Sequence, residues 1–350
     1  MPSYVFNFLI VVFTLNYSHL FGKNIVVAKD GSGDFTSIQE GINHCLSLSD
    51  KYQIIQIKNG TYLEKIFIDS TKHHLKIRGE SKEGVIITCT QARDIWRCES
   101  DDDYGAATIN IKGHDIQFQN ITIINDYGFT VHENKTIPCS NAAGKVTTST
   151  VQNFQLPREE GEKEGEKIVR KDGHQFALRS MPGATRLKFI NCIFRSGGGD
   201  TVSPWDVENG AYYFDKCLIE GHVDLYCPRG NAIIKNSHFI CHNTTAALWH
   251  DGSGKANDKS IIINCTFEGS PGFKLGRYHR EAQMFLFNCK FSKNMADAPI
   301  YQSGDRVLKW GHRIYYKNCH KVDGDFAWHN DNTTLSIKDF SFKKVFGKIW

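Results

Sequence analysis

One short strand recurs along this chain, and its recurrence limits the fold more than any other feature. The segments FQNITI (118–123), LKFINCIF (187–194), YYFDKCLI (212–219), AIIKNSHF (232–239), IIINCTF (261–267), MFLFNCKF (284–291) and IYYKNC (314–319) share one form: an apolar strand, a polar residue, a small residue, then an aliphatic or aromatic one. Measured at the small residue, the steps from Cys192 to Cys217, Ser237, Cys265, Cys289 and Cys319 are 25, 20, 28, 24 and 30 residues. A fixed strand with a variable spacer is the signature of a solenoid, in which no coil buries its own face and stacked coils build one continuous core. Short strands and Gly, Asp and Asn turns fill the spacers, with almost no helical period. A propeller or sandwich also has many short strands, but neither repeats the same one at about a coil's length. The pattern therefore predicts an all-β, single-domain right-handed parallel β-helix.

Two segments depart from the repeat. TSIQEGINHCL (36–46) spaces Ile38, Ile42 and Leu46 at helical intervals and reads as a short helix capping the N-terminal end of the solenoid. The stretch 127–172 interrupts the coils, and its charged, Gly-punctuated part PREEGEKEGEKIVRKD (157–172) reads as a mobile surface insertion. The tail carries Phe340, Phe342, Phe346 and Trp350 and is expected to dock over the last coil.

Val5 to Leu15 reads VFNFLIVVFTL, the length of a signal-peptide core and too short for a membrane anchor, so residues 1–22 are expected to be removed on export and 23–350 to form the mature domain. The expected location is outside the cytoplasm, extracellular or periplasmic, with no membrane association after processing. The 11 cysteines are too sparse for a disulfide scaffold. Those at 192, 217, 265, 289 and 319 fall at corresponding places of the repeat and read as free thiols in the core. Cys89 and Cys98 flank a polar stretch and are either a disulfide or two unpaired thiols. The net charge of +4 and the absence of a long Lys/Arg block give no nucleic-acid footprint, and mildly suit a polyanionic substrate. Fifteen histidines show no pair with clean ligand spacing, so no metal or other cofactor is expected. The asparagines at 191, 264, 288 and 318 read as a structural ladder rather than an active cluster.

In a solenoid, residues one coil apart in sequence lie about 4.8 Å apart in space. Gln175, Asp200 and Asp224 are separated by 25 and 24 residues, and Arg277 follows 53 residues later. An amide, two carboxylates and a guanidinium are thereby expected on one face of adjacent coils. Two carboxyls that close do not both ionise easily, so one is expected to hold a proton and the other to be ionised beside the arginine, as an acid and a nucleophile. Alone, Asp200 after three glycines would read as a turn residue. Its place one coil from Gln175 and Asp224 reverses that reading, while Arg277 as a mere structural counter-ion predicts the same geometry.

These residues also fall in motifs. HQFALRS (174–180) resembles the Q-A-V-A-L motif of pectin methylesterases, GGDTV (198–202) resembles Q-D-T-L, VDLYC (223–227) resembles D-F-I-F-G, and LGRYH (275–279) resembles L-G-R-P-W. VVAKDGSGDFTSIQEGI (26–42) and GTYLEKI (60–66) extend the resemblance over nearly all of the mature chain. The resemblance implies a pectinesterase that removes methyl groups from galacturonan. Asp224 would be the nucleophile, Asp200 the general acid and then base, Gln175 an oxyanion donor, and Arg277 the group that orients and ionises Asp224. Methyl-esterified pectin is the expected partner and a monomer the expected state. Two departures stand out: Gly199 replaces a second oxyanion glutamine, and His279 replaces the tryptophan of L-G-R-P-W. Tyr278, His279, Trp205, Tyr226 and Trp249 are the expected sugar-contacting residues. Three alternatives stay open: an esterase for another polysaccharide ester such as acetyl, a glycanase, and a polysaccharide-binding β-helix without turnover.

Overall fold

The computed structural model describes residues 24–140, 160–250, 254–329, 331–347 and 350. The expected signal segment lies outside them. The described chain winds as a parallel β-helix of three faces. One sheet has ten strands, from Ile25–Val27 to Arg313–Lys317, and a second has nine, from Gly60–Leu63 to His320–Lys321. The third face is split into four strands, Ile66–Ile68 to Val202–Ser203, and three, Leu248–His250, Gly276–Tyr278 and Tyr301–Gln302. Single bridges from Val202 to Tyr226 and from Tyr226 to Leu248 carry the ladder across the gap. Asp224 lies at that gap.

The recurring strands are successive rungs of the ten-stranded sheet. Phe118, Phe189, Phe214, Ile234, Ile262, Leu286 and Tyr316 are direct partners in one inward column, and all are buried. Rings one coil apart stack face to face: Phe189 and Phe214 lie 4.8 Å apart, Phe239 and Phe267 4.5 Å apart. The polar residue after each strand turns the chain into the nine-stranded sheet through the left-handed region, with φ of 55° at Asn120, 51° at Asn191 and Asn236, 53° at Asn264 and 52° at Asn288. Asparagine tolerates that conformation because its short side chain hydrogen-bonds locally. Here the amides bond to one another: Asn264 donates to Asn236 at 3.1 Å, Asn288 to Asn264 at 3.0 Å and Asn318 to Asn288 at 2.8 Å. The ladder is structural. The residue that follows each bend is buried in the core: Ile121 and Ser237 at two of them, and at the others the cysteines 192, 217, 265, 289 and 319, which are free.

Helix α1 (Ile38–His44) closes the N-terminal end with Ile38 and Ile42 buried. It is shorter than the periodicity implies: Leu46 is 42% exposed, and Cys45 fills the inward place instead. Glu64, from the GTYLEKI motif, accepts from the Ser37 hydroxyl and from the Ile38 and Gln39 backbone N–H groups. A carboxylate at those unpaired N–H groups anchors the cap. The tail docks elsewhere than expected. Phe340 packs on Phe285 and Phe287 along the outer face of the ten-stranded sheet. That face offers Ala211, Ile233, Ile261 and Ile263 as an apolar strip, which the last coil does not.

Two further expectations are corrected. Cys98 is joined to Cys139, with Cα atoms 4.6 Å apart, and Cys89 is free, its thiol facing the Thr108 hydroxyl at 3.3 Å. The disulfide runs from helix α2 (Arg93–Glu99) to the segment after 127. That segment is an arm, not a loose loop. It enters through helix α3 (Tyr127–Thr130) and forms an antiparallel pair between Lys135–Pro138 and Glu166–Val169. Within the charged stretch Lys167 and Glu162 form an ion pair at 3.0 Å with side chains 1% and 0% exposed. A buried pair of that kind needs a fixed backbone around it. Residues 141–159 lie outside the described part.

Candidate active site

Gln175, Asp200 and Asp224 stack on three successive coils. His174, Gly199 and Val223 are bridged one above another, the Gln175 N–H donates to the Gly199 carbonyl at 3.0 Å, and the Asp200 N–H donates to the Val223 carbonyl at 3.0 Å. Both aspartates adopt the left-handed conformation, φ 58° at Asp200 and 54° at Asp224, so both carboxyls leave the backbone at the same break in the third face. Asp200 is 8% exposed and Asp224 5%.

Arg277 completes the group from two coils further on. Its strand pairs with Leu248–His250 so that Arg277 lies beside Trp249. Its guanidinium crosses the Trp249 ring at 4.7 Å and reaches Asp224 as a fork, Nε to Oδ1 at 3.1 Å and Nη2 to Oδ2 at 2.7 Å. Burial pushes the Asp224 carboxyl up to about 7, and the negative charge of Asp200 adds to the rise, while the Arg277 hydrogen bonds pull against it. The pair therefore retains a proton toward neutrality, and the two arginine hydrogen bonds mark Asp224 as the member that carries the charge.

Gln175 is in the stack but turned into the protein. It is fully buried, its Oε1 accepts from the Gly128 N–H at 2.8 Å, and its Nε2 donates to the Lys171 carbonyl at 2.6 Å. Gly128 and Lys171 are the two roots of the arm, so this amide clasps the arm to the coil. The glycine run makes the clasp possible, because a Cβ on Gly198 would overlap the Gly173 carbonyl and the Gln175 amide, and one on Gly128 would lie 2.7 Å from Gln175 Oε1. Gly199 is different: its added Cβ meets only Val223 Cγ1 at 3.2 Å and atoms beyond.

The aromatic expectations divide. Tyr226 is 1% exposed and packs edge-on against Phe214 and Phe239, so it belongs to the core and has no face for a sugar. Tyr278 is also buried, its hydroxyl 2.5 Å from His312 Nδ1. Trp205 has the guanidinium groups of Arg179 at 4.7 Å and of Arg229 at 4.2 Å from its ring centre, so cations already occupy the space over its ring. Strand alternation and packing set these orientations, which motif spelling does not reveal. Trp249, 8% exposed, and His279, half-buried, meet edge to face at 4.4 Å next to Arg277 and remain beside the dyad.

The sequence reading missed a buried charge cluster that includes Arg179 of the strand following Gln175. Asp103 accepts from Arg93 at 2.9 Å, Arg97 at 3.3 Å and Arg179 at 2.7 Å. Arg179 was visible within HQFALRS. Asp103 was not, since it ends an acidic run, ESDDD (99–103), of the kind that usually faces water.

The pectinesterase family model matches residues 24–156. Probable pectinesterase 55 of Arabidopsis thaliana is 25% identical over 325 residues, 90% of this chain and 82% of the relative. The chain spans 32% of the length of Pectinesterases 4 and 5 of the same plant, at 23% identity. The solved pectin methylesterase from carrot is 17% identical with a TM-score of 0.65, covering 95% of this chain and 96% of that one. A pectin methylesterase solved with a hexasaccharide gives 18% and 0.68, covering 94% and 98%. These matches make the N-terminal part of the chain similar to the pectinesterase family and give the whole chain the fold of the solved pectin methylesterases. The pectinesterase match covers the capped N-terminal coils, while the likeness to the solved structures shows the same fold through the coils that carry the dyad. No helix among the described residues is long and apolar enough to cross a membrane.

Proposed function

We propose that this chain is a pectinesterase, which hydrolyses the methyl esters of galacturonan and gives pectate and methanol. The observation that carries the reading is the fork from Arg277 to Asp224 with Asp200 one coil away. The Asp224 carboxylate attacks the ester carbonyl carbon. As the bond to the methoxy oxygen breaks, Asp200 gives its proton to the departing methanol, leaving an acyl-enzyme anhydride on Asp224 and an ionised Asp200. Asp200 then takes a proton from water, the hydroxide adds to the substrate carbonyl, and the bond to Asp224 breaks. Asp224 returns as carboxylate and Asp200 as acid. Gln175 contributes at most its second amide N–H to the oxyanion, the first being held by Lys171. Trp249 and His279 are the sugar contacts in this reading.

The clasped Gln175 and Gly199 favour one second reading, a polysaccharide-binding member with little turnover. In either case the protein acts as a monomer outside the cytoplasm. The apolar run Val5 to Leu15 supports export, and the Cys98–Cys139 disulfide suits an oxidising compartment. Methanol, acetate and reducing ends released from highly methylated pectin separate the readings. Methanol alone supports the proposal; acetate alone or reducing ends would replace it, and no product would leave the binding reading.

A further inference from the structure

Asp224 and Arg277 do not lie on neighbouring coils. The Asp224 N–H donates to the Ala246 carbonyl at 2.9 Å, Tyr226 is bridged to Leu248, and Leu248–His250 pairs with Gly276–Tyr278, so one whole coil separates the two partners. Two strand spacings are about 10 Å, and the arginine side chain spans them across the coil between. Trp249 is the residue of that coil directly in register with Arg277, and register partners in a parallel sheet share a face. The guanidinium carbon lies over the indole, 4.7 Å from its centre, before Nε and Nη2 meet Asp224 at 3.1 and 2.7 Å. The indole is itself fixed. Trp249 is 8% exposed, its backbone N–H donates to the Tyr226 carbonyl at 3.1 Å, and His279 meets its ring edge to face at 4.4 Å. The Arg277 side chain is 24% exposed by contrast, so water competes for its N–H groups and its many rotamers oppose a single pose.

We propose that Trp249 is a positioning residue for Arg277: the indole is the platform over which the guanidinium crosses the intervening coil to present both donors to Asp224. A planar, delocalised cation favours an aromatic face, and a fixed ring beside it limits the planes the fork can take. The inference rests on the esterase reading for its consequence, because a carboxylate gripped by both donors is aimed at one point, as attack on an ester carbonyl requires. It also separates two jobs of one side chain. A ring that only touched sugar would bind ground state and transition state alike, and its loss would raise KM and leave kcat unchanged. A ring that aims Arg277 lowers kcat when it is removed, since a misdirected carboxylate is felt at the chemical step.

The test reads Arg277 itself before any turnover is asked of the protein. NMR of isotope-labelled arginine follows exchange of the Arg277 Nε proton with water in the parent, Trp249→Leu and Trp249→Phe, with Arg277→Lys to identify the signal. Leucine keeps an apolar side chain without a ring, and phenylalanine keeps a ring. In the parent the proton should exchange slowly and lie upfield, displaced by the ring current of the indole. Trp249→Leu should lose the displacement and exchange at least about tenfold faster, the mark of a fork that opens more often; Trp249→Phe should restore most of both. On methylated pectin Trp249→Leu should lower kcat by about tenfold or more, with KM within about twofold of the parent. A parent signal that is neither displaced nor protected overturns the inference without any Trp249 variant having to fold. Unchanged exchange in folded Trp249→Leu does so too, as does an equal loss in Trp249→Phe, or a raised KM at constant kcat, which would make Trp249 a sugar contact alone. Faster exchange in Trp249→Leu, when the parent releases no methanol, would uphold the positioning role and reject the esterase reading; methanol release with unchanged exchange would do the reverse.

Discussion

At the residue scale, Asp224 is a carboxylate in a place that disfavours its charge, held by two hydrogen bonds from a single guanidinium. Attack requires the ionised form. Because the buried pair gives up its shared proton only near about 7, and that proton must pass to the departing methanol, kcat/KM for methyl ester hydrolysis should fall about tenfold for each pH unit above about 7. A profile that stays flat from pH 6 to 9 would reject the shared proton of the pair as the catalytic acid. Gly199 offers a second test. A side chain there needs Val223 to yield by only a few tenths of an ångström, so Gly199→Gln should fold and add an oxyanion donor. One such donor lowers a barrier by about 2.7–4 kcal/mol elsewhere, and a rise in kcat of at least about tenfold is expected. Unchanged or lower turnover would mean that the oxyanion lies away from position 199. The stack of Gln175, Asp200 and Asp224 was legible because one coil of sequence equals one step in space. The directions of Gln175, Tyr226 and Tyr278 were not, because side-chain direction depends on contacts with coils and an arm distant in sequence.

At the scale of elements, the arm and α2 behave as one unit. The disulfide closes a loop of 41 residues, a constraint of about 4 kcal/mol in the chain-entropy account. Its influence reaches the site through the two hydrogen bonds of the Gln175 amide to Gly128 and Lys171. The double variant Cys98→Ser/Cys139→Ser should leave the stacked coils intact by circular dichroism and speed proteolysis between 127 and 172. Cleavage at the parent rate would show that the buried Lys167–Glu162 pair and the Gln175 clasp hold the arm unaided. The composition of 157–172 read as surface because charged residues seldom pack inside. The partners that bury Lys167 and join Cys139 to Cys98 depend on a long-range pairing that composition does not encode.

The whole molecule is a single column of stacked coils, so its stability is distributed among neighbouring rungs rather than set by one nucleus. Phe239, between Tyr226 and Phe267 and fully buried, sits beneath the coil of Asp224. Phe239→Ala should cost about 3–5 kcal/mol, read as a lower unfolding midpoint in denaturant. A cost below 1 kcal/mol would show that the adjacent coils collapse into the gap. The solenoid was legible from one strand repeated with its asparagine bend and cysteine, since both the bend and the inward small residue have physical causes local to each coil. The docking of the tail was not, because it depends on an apolar strip assembled from strands scattered between Ala211 and Phe287. The central claim is that this column presents Asp200 and Asp224 as one catalytic pair. Methanol release from highly methylated pectin by the parent, Asp200→Ala and Asp224→Asn side by side tests it most directly. The account predicts release by the parent and a loss of at least about a thousandfold in each variant; release that survives Asp224→Asn would contradict it.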